Sequence, residues 1–455
     1  MQEQPGLKRT ITTWPAILLV VSGIIGSGVF KKIAPMAESL QSPFFIMICW
    51  TIAGLISLAG ALCNAELASM MPASGGEFRY FHRIYGKLFA FLYGWANLTV
   101  MKSATIAALA FIFSESFSVL VPLPQIHLFG SYISIKILAS LLIITLSIVN
   151  YRGVVFSEKL SRVMIIGIFI VIALFVGSGI FSDKGAVSHF QPSALVPQGW
   201  QLFTAIFAAS LGAFWGYEGW NNLGFIGEEV KNPQKNIPLA LGVGTLIVIL
   251  VYLSLNAVYV YVMPVEQLAA INGKANTIAA VEVANAISGN VGMVIISVLI
   301  LFTTFNCTNT TVLTAARIFF AMSREGLFLK SAGKIHPVFQ TPSTAIVLQG
   351  LWAIVLLWFS NFNDLTDLLI FASFIFYGST ALGVLLLRRR EPAANRPYKV
   401  IGYPVLPAFF ACFCLLLVVV TILRDTQKSM IGLGLIALGV PVYYYYLKKS
   451  KAAAA

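Results

Sequence analysis

Some twenty residues into this chain, an apolar stretch is interrupted by Gly26-Ser27-Gly28, and a second breaks at Gly216-Tyr217-Glu218-Gly219. A helix crossing hydrocarbon must satisfy its own backbone N–H and C=O groups. Non-helical backbone survives at that depth only where it lines a cavity inside the protein. Two interrupted stretches about 190 residues apart, each opening its half of the chain, fit a transporter built from repeated halves with a site at the membrane midplane.

Composition agrees. Of 455 residues 58% are hydrophobic and only 10% charged, where a soluble chain carries about a quarter charged. Apolar runs of roughly 18 or more residues recur from end to end, each long enough to span a bilayer. The reading is an all-α polytopic membrane protein with twelve transmembrane helices, at roughly 13–39 (broken), 43–71, 86–116, 131–150, 157–181, 202–227 (broken), 237–262, 288–322, 343–360, 365–388, 404–423 and 429–447. The first run carries no small-residue cleavage site and reads as a span, not a removable signal. Cys49, Cys63, Cys307, Cys412 and Cys414 all fall in apolar segments, as small core residues and not as a disulfide framework. Ala452 to Ala455 read as a tail.

Assigning loops alternately places Lys8, Arg9, Arg79, Arg83, Lys87, Arg152, Lys159, Arg162, Lys231, Lys235, Arg324, Lys330, Lys334, Arg388, Arg389, Arg390, Arg396, Lys399, Lys448, Lys449 and Lys451 on one side. Lys31, Lys32, Lys136, Lys184, Lys274, Arg424 and Lys428 fall on the other, 7 against 21. The positive-inside rule makes the first side, with both termini, cytoplasmic. The net charge of +13 reflects this bias and gives no reason to expect nucleic acid. Between spans seven and eight, 263–287 reads as a short helix able to lid an external vestibule, or as a plain loop. Pro392, Pro397, Pro404 and Pro407 set the last two spans apart from a ten-span core.

At the first break, glycine lets the chain leave helical angles and lets a ligand approach the backbone. The half-helix after Gly28 would point its N–H groups, the positive dipole end, at a carboxylate. The half-helix ending near Ile24 would offer carbonyls to an ammonium. Together they suit the two charges of an amino acid. The alternative is that Gly-x-Gly merely permits close helix packing; the second break weighs against it.

Glu218 in the second break and Lys102 in span three are both deep in apolar sequence, where charge is costly and usually paired or functional. They read either as a structural ion pair or as a site in which Glu218 recognises a substrate side chain or carries a proton. Trp215 reads as an aromatic gate or a core aromatic. Span eight holds Thr303, Thr304, Asn306, Cys307, Thr308, Asn309, Thr310 and Thr311. These hydroxyls either bond back to their own helix or, with Gly23, Thr304, Cys307 and Thr308 foremost, form an oxygen-rich site for a sodium ion. His82, His127, His189 and His336 are scattered, and neither a phosphate-binding Gly-rich loop nor a His-Glu-x-x-His pair is present. Nothing favours an enzyme, an ATP motif or a bound cofactor, so uphill transport would draw on sodium, protons or exchange.

The chain resembles the L-type amino acid transporter branch of the amino acid–polyamine–organocation superfamily, from Gly6 to about Tyr446. The residues that carry this are Gly26-Ser27-Gly28-Val29-Phe30, Ala65-Glu66-Leu67, Pro72-Ala73-Ser74-Gly75-Gly76, Gly219-Trp220-Asn221, Glu228-Glu229-Val230-Lys231-Asn232-Pro233, Ala316-Arg317-Ile318-Phe319-Phe320-Ala321, His336-Pro337 before Thr341-Pro342, and Arg396-Pro397-Tyr398. The resemblance implies the LeuT fold, with broken helices one and six. Residues 1–181 and 182–390 would form two five-helix inverted repeats, and 391–455 the two extra helices and a cytoplasmic tail. It implies a substrate carboxylate on Ser27 and Gly28 beside Gly26, and an ammonium on carbonyls of Ile24, Trp215 and Glu218. Gly219 and Asn221 complete that site.

Two departures bear on partners and coupling. The loop 117–130 has no cysteine to join a heavy subunit, so a stand-alone, bacterial-type carrier is expected. Relatives place a lysine mid-span five, whereas here 163–168 is apolar and Lys159 lies nearer the cytoplasm. The expectation is a multi-pass plasma-membrane carrier of L-amino acids working by alternating access, as exchanger or symporter. The alternatives are a sodium- or proton-coupled carrier of cationic amino acids or polyamines and, in another class, a channel or membrane-embedded sensor.

Overall fold

A computed structural model describes residues 9–124, 126–128, 131–272 and 277–452. Gly6, Lys8, Gly130, Lys274 and Ala453 to Ala455 lie outside the described residues, as do the side chains of Lys159 and Lys451. Among the described residues, ten helices are long and apolar enough to cross a membrane. They correspond to ten of the twelve expected spans. The other two are the helix Gly199–Tyr217, which ends at the second break, and the shorter Ser343–Phe359.

Span one runs Thr13–Ile24, breaks, and resumes as Gly28–Lys31 and Ile33–Leu40. Span two (Pro43–Met70) and span seven (Pro233–Val262) each begin on a proline, which needs no helical N–H at the first position. Span three is Lys87–Ala96 and Lys102–Leu120, joined by a π-helical turn over Asn97–Met101. Spans four and five are Ile133–Tyr151 and Val154–Ile180. Span six is Gly199–Tyr217 followed by the short Asn222–Phe225. Spans ten and eleven are Phe362–Arg390 and Val405–Arg424, and span twelve is bent into Thr426–Ala437 and Gly439–Ala452. A two-residue strand pair, His127–Leu128 with Ser131–Tyr132, precedes span four.

The helical reading of 263–287 holds. Val265–Ile271 is a helix, and Ala279–Arg324 contains a kink at Ser288 and Gly289 that separates an outer helix from span eight. Val265–Ile271 packs on Ile33–Leu40, and Asn272 Nδ2 donates to Glu38 Oε2 at 2.5 Å. Leu141, Val163, Leu174, Leu250 and Leu415 remain exposed on the outer faces of their helices. Those side chains suit hydrocarbon, which needs no polar covering. Spans eleven and twelve pack outside, span eleven on span ten and span twelve on span three. Cys412, on span eleven, faces outward, while the other four cysteines are buried.

The ion pairs respect the two sides assigned from charge. Arg79 pairs with Glu325, Arg83 with Glu391 and Arg388 with Glu66 on the side of the N-terminus. Lys31 pairs with Glu115, and Lys428 with Asp364 and Asp367, on the other.

Candidate substrate site

Both interrupted helices are open where the glycines sit, and they face each other. Ile25 is extended (ψ 94°) and caps the first half of span one, its N–H on Val21 O. Ser27 then starts a new turn, accepting from Lys31 N at 3.2 Å. In span six, Glu218 is extended (ψ 142°) and Gly219 takes φ +107°, a left-handed conformation that disfavours side chains. A methyl on Gly219 would lie 2.2 Å from Gly23 O, and one on Gly28 only 2.4 Å from Gly216 Cα. No larger residue fits at either contact.

Tyr252 of span seven joins the two breaks. Its hydroxyl lies 3.0 Å from Ile24 O and 2.9 Å from Gly216 O, donating to one at a time. Nothing in the sequence marked this tyrosine, since an aromatic in an apolar span is ordinary. Tyr252→Phe should raise the KM for transported substrate roughly two- to tenfold, the worth of one lost hydrogen bond, with the protein folded. Unchanged KM in a concentration series of labelled uptake would remove the hydroxyl from the site.

Lys102 and Glu218 meet. The ammonium donates to Glu218 Oε1 at 3.1 Å, and the side chains are 1% and 6% exposed. The Tyr377 hydroxyl of span ten reaches both carboxylate oxygens, at 2.7 and 2.9 Å. Lys102 Nζ also stands 5.5 Å over the Phe225 ring. Lys102 follows directly on the π-helical turn of span three, a device that re-aims side chains at functional places. Glu218 is thus held by Lys102 and by the Tyr377 hydroxyl, which donates to one oxygen at a time. Asn221 turns its amide nitrogen to Glu77 Oε1 at 2.6 Å.

Trp215 lies almost fully buried between the breaks and the opposite side. It packs edge-on against Phe362 at 6.0 Å. It also lines a cavity of about 390 Å³ with Lys32, Gly212, Asp367, Arg424 and Lys428.

The span-eight hydroxyls mostly bond back to their own helix. Thr304 Oγ1 donates to Ile300 O at 2.6 Å, Thr308 to Thr304 O at 2.6 Å and Thr311 to Cys307 O at 2.9 Å. Of the four residues singled out for a cation, Gly23 and Cys307 touch, Cys307 Sγ lying 3.2 Å from Gly23 O. A methyl added at Gly23 would meet Asn222 Nδ2 at 3.0 Å and Thr310 Cγ2 at 3.7 Å. Ser27 Oγ, Trp215 Nε1, both amide atoms of Asn306 and Thr310 Oγ1 are buried without a hydrogen-bond partner.

The side toward the N-terminus is sealed. Thr10 and Ile11 donate backbone N–H groups to Glu229 O, Lys231 N returns one to Ile11 O, and Ser74 forms a bridge with Ile226. Arg317 of span eight, fully buried, pairs with Glu229 at 3.0 Å.

A family model described as "Amino acid permease" matches residues 11–441. This chain belongs to the amino acid permease family. It is a multi-pass membrane protein for amino acid transport. The permease is 30% identical over 452 residues to the serine/threonine exchanger SteT of Bacillus subtilis, covering 99% of each chain. It is likewise 30% identical to the human b(0,+)-type amino acid transporter 1, covering 97% of this chain and 88% of that one. To the human large neutral amino acids transporter small subunit 2 it is 30% identical, covering 98% and 82%.

Proposed function

We propose that the permease moves α-amino acids across the plasma membrane by alternating access, holding the zwitterion between the two breaks. The observation that carries this is the face-to-face packing of Gly28 on Gly216 and Gly219 on Gly23. It sets N–H groups of a helix start beside carbonyls of a helix end. The carboxylate would rest on the N–H groups of Ser27 and Gly28 beside Gly26, and the ammonium on carbonyls of Ile24, Trp215 and Glu218, with Gly219 shaping the gap. Trp215 would close the external path.

The Lys102 ammonium beside Glu218 favours neutral over cationic substrates, because it already balances the carboxylate's charge and would repel a second cation. Serine/threonine exchange by the B. subtilis relative is in keeping with that preference. Exchange is the mode we assign, without an enzymatic step and without a disulfide-linked heavy subunit.

Contacts between span one and six, two and seven, three and eight, and four and nine support two five-helix repeats, 1–181 and 182–390, with 391–455 appended. With both termini cytoplasmic, the sealed side is the inner one, and the cavity above Trp215 opens outward.

The test is counterflow in proteoliposomes. Labelled serine or threonine should accumulate transiently in vesicles preloaded with unlabelled amino acid, saturably and more than labelled arginine. A linear, non-saturating flux without trans-stimulation would indicate a pore instead.

A further inference from the structure

Glu77 lies outside the twelve spans, in the first turn of the helix Glu77–Tyr85, yet it is only 1% exposed. Gly75 and Gly76, at φ +100° and +49°, fold the chain so that this turn tucks beneath the second half of span six. Its Oε1 accepts from Asn64 Nδ2 of span two at 2.9 Å and from Asn221 Nδ2, in the span-six break, at 2.6 Å. Its Oε2 is buried without a hydrogen-bond partner.

The charges around it are spoken for. Lys102 and Tyr93 on span three, Tyr80 on its own helix and Tyr377 on span ten face it electrostatically, with Glu218 beyond Lys102. The Lys102 ammonium bonds Glu218. On the other elements packed against this loop, Arg317 pairs with Glu229, Arg79 with Glu325, beside His82, and Arg388 with Glu66. Glu228 accepts from Ser74 Oγ. If both carboxyls ionise, Glu77, Glu218 and Lys102 leave one uncompensated negative charge in a dry interior. The neutral donors around it, the two amides, its own backbone N–H and the Tyr93 hydroxyl, do not offset burial, and such a group takes up a proton instead.

We propose that Glu77 is a proton-binding site of the transport cycle, neutral while Asn221 is docked on it and ionised when the span-six segment withdraws. The inference rests on the proposed alternating access and adds that the span-six segment moves in it. The proton passes between the Glu77 carboxyl and water admitted by that movement. Burial pushes the docked carboxyl from 4.5 up to about 7, opposed by the bond from Asn221, its own backbone N–H, the charge of Lys102 and the Tyr93 hydroxyl. The sign follows. A raised pKa means the docked state holds the proton more tightly. Docking is therefore strongest below the ordinary value of 4.5, weakens as pH rises from there to about 7, and is level above. Across that window the docked-to-undocked ratio falls on the order of a hundredfold.

Two measurements test this. Infrared spectra of the purified wild type should show a protonated-carboxyl band at pH 5 that is gone by pH 8.5, and Glu77→Gln should lack it. Wild type without that band at pH 5 overturns the proposal, whether or not the variant folds. Serine counterflow should change between pH 4.5 and 7 in wild type and be flat in Glu77→Gln, which keeps the amide contacts. A Glu77→Gln profile that overlays the wild-type curve overturns it too. Absent counterflow at every pH in wild type sinks the transport reading instead, leaving the infrared result to judge Glu77.

Discussion

Gly28→Ala is expected to abolish counterflow, by roughly a hundredfold or more, while the protein still inserts and elutes as a monodisperse peak. The added methyl would sit 2.4 Å from Gly216 Cα and 2.9 Å from Gly216 N. Both obstacles are backbone, so no side chain can swing away, and the two breaks must separate. Overpacking of this kind costs about 3 kcal/mol or more when the site cannot relax, which corresponds to about a hundredfold in population. Gly219→Ala should be as severe, since it adds backbone strain at φ +107° to a 2.2 Å clash with Gly23 O. Gly167→Ala and Gly177→Ala in span five are the controls. Nothing lies within 4 Å of either added methyl, and alanine favours a helix over glycine, so transport should persist. Full activity in Gly28→Ala would mean that the breaks do not meet in the working protein.

The breaks were legible because glycine pairs and a glutamate are conspicuous in lipid-length apolar sequence. The twelve spans were legible because hydrocarbon demands their length and composition. What stayed hidden has a common cause. Tyr252, Tyr377 and Asn64 are ordinary residues within spans, and only the tertiary fold shows which polar group each one meets. Glu77 lies 144 positions from Asn221, in the connection between spans two and three. Burial there follows from Gly75 and Gly76 turning under span six, which hydropathy does not report. The π-helical turn before Lys102 is equally silent, because its sequence, Asn97–Met101, carries no glycine or proline to mark a change of helix type. For the threonines of span eight the sequence allowed both back-bonding and a cation site, and the hydrogen bonds recorded for Thr304 and Thr308 are of the first kind.

Lys102→Met should destabilise the permease more than any other single change in the pair network, by about 3–5 kcal/mol, the usual cost of leaving a buried charge without its partner. Glu218 would keep only the Tyr377 hydroxyl, with its side chain 6% exposed. Glu218→Gln costs less, because the amide oxygen can still accept from the Lys102 ammonium although its counter-charge is gone. The double variant Lys102→Met/Glu218→Gln removes both charges. It should lose less stability than the sum of the singles, a coupling that thermal inactivation of the four proteins measures directly. Additive losses would show that the two charges do not interact. The same proteins address recognition. If Glu218 read cationic side chains, Glu218→Gln would weaken competition by arginine far more than by alanine. With the carboxylate held by Lys102 and Tyr377, both competitors should weaken alike, because what is lost is the shape of the break and not a contact to the substrate side chain. A selective loss for arginine would require Glu218 to leave Lys102 during the cycle, and would move the pair from scaffold to selectivity filter.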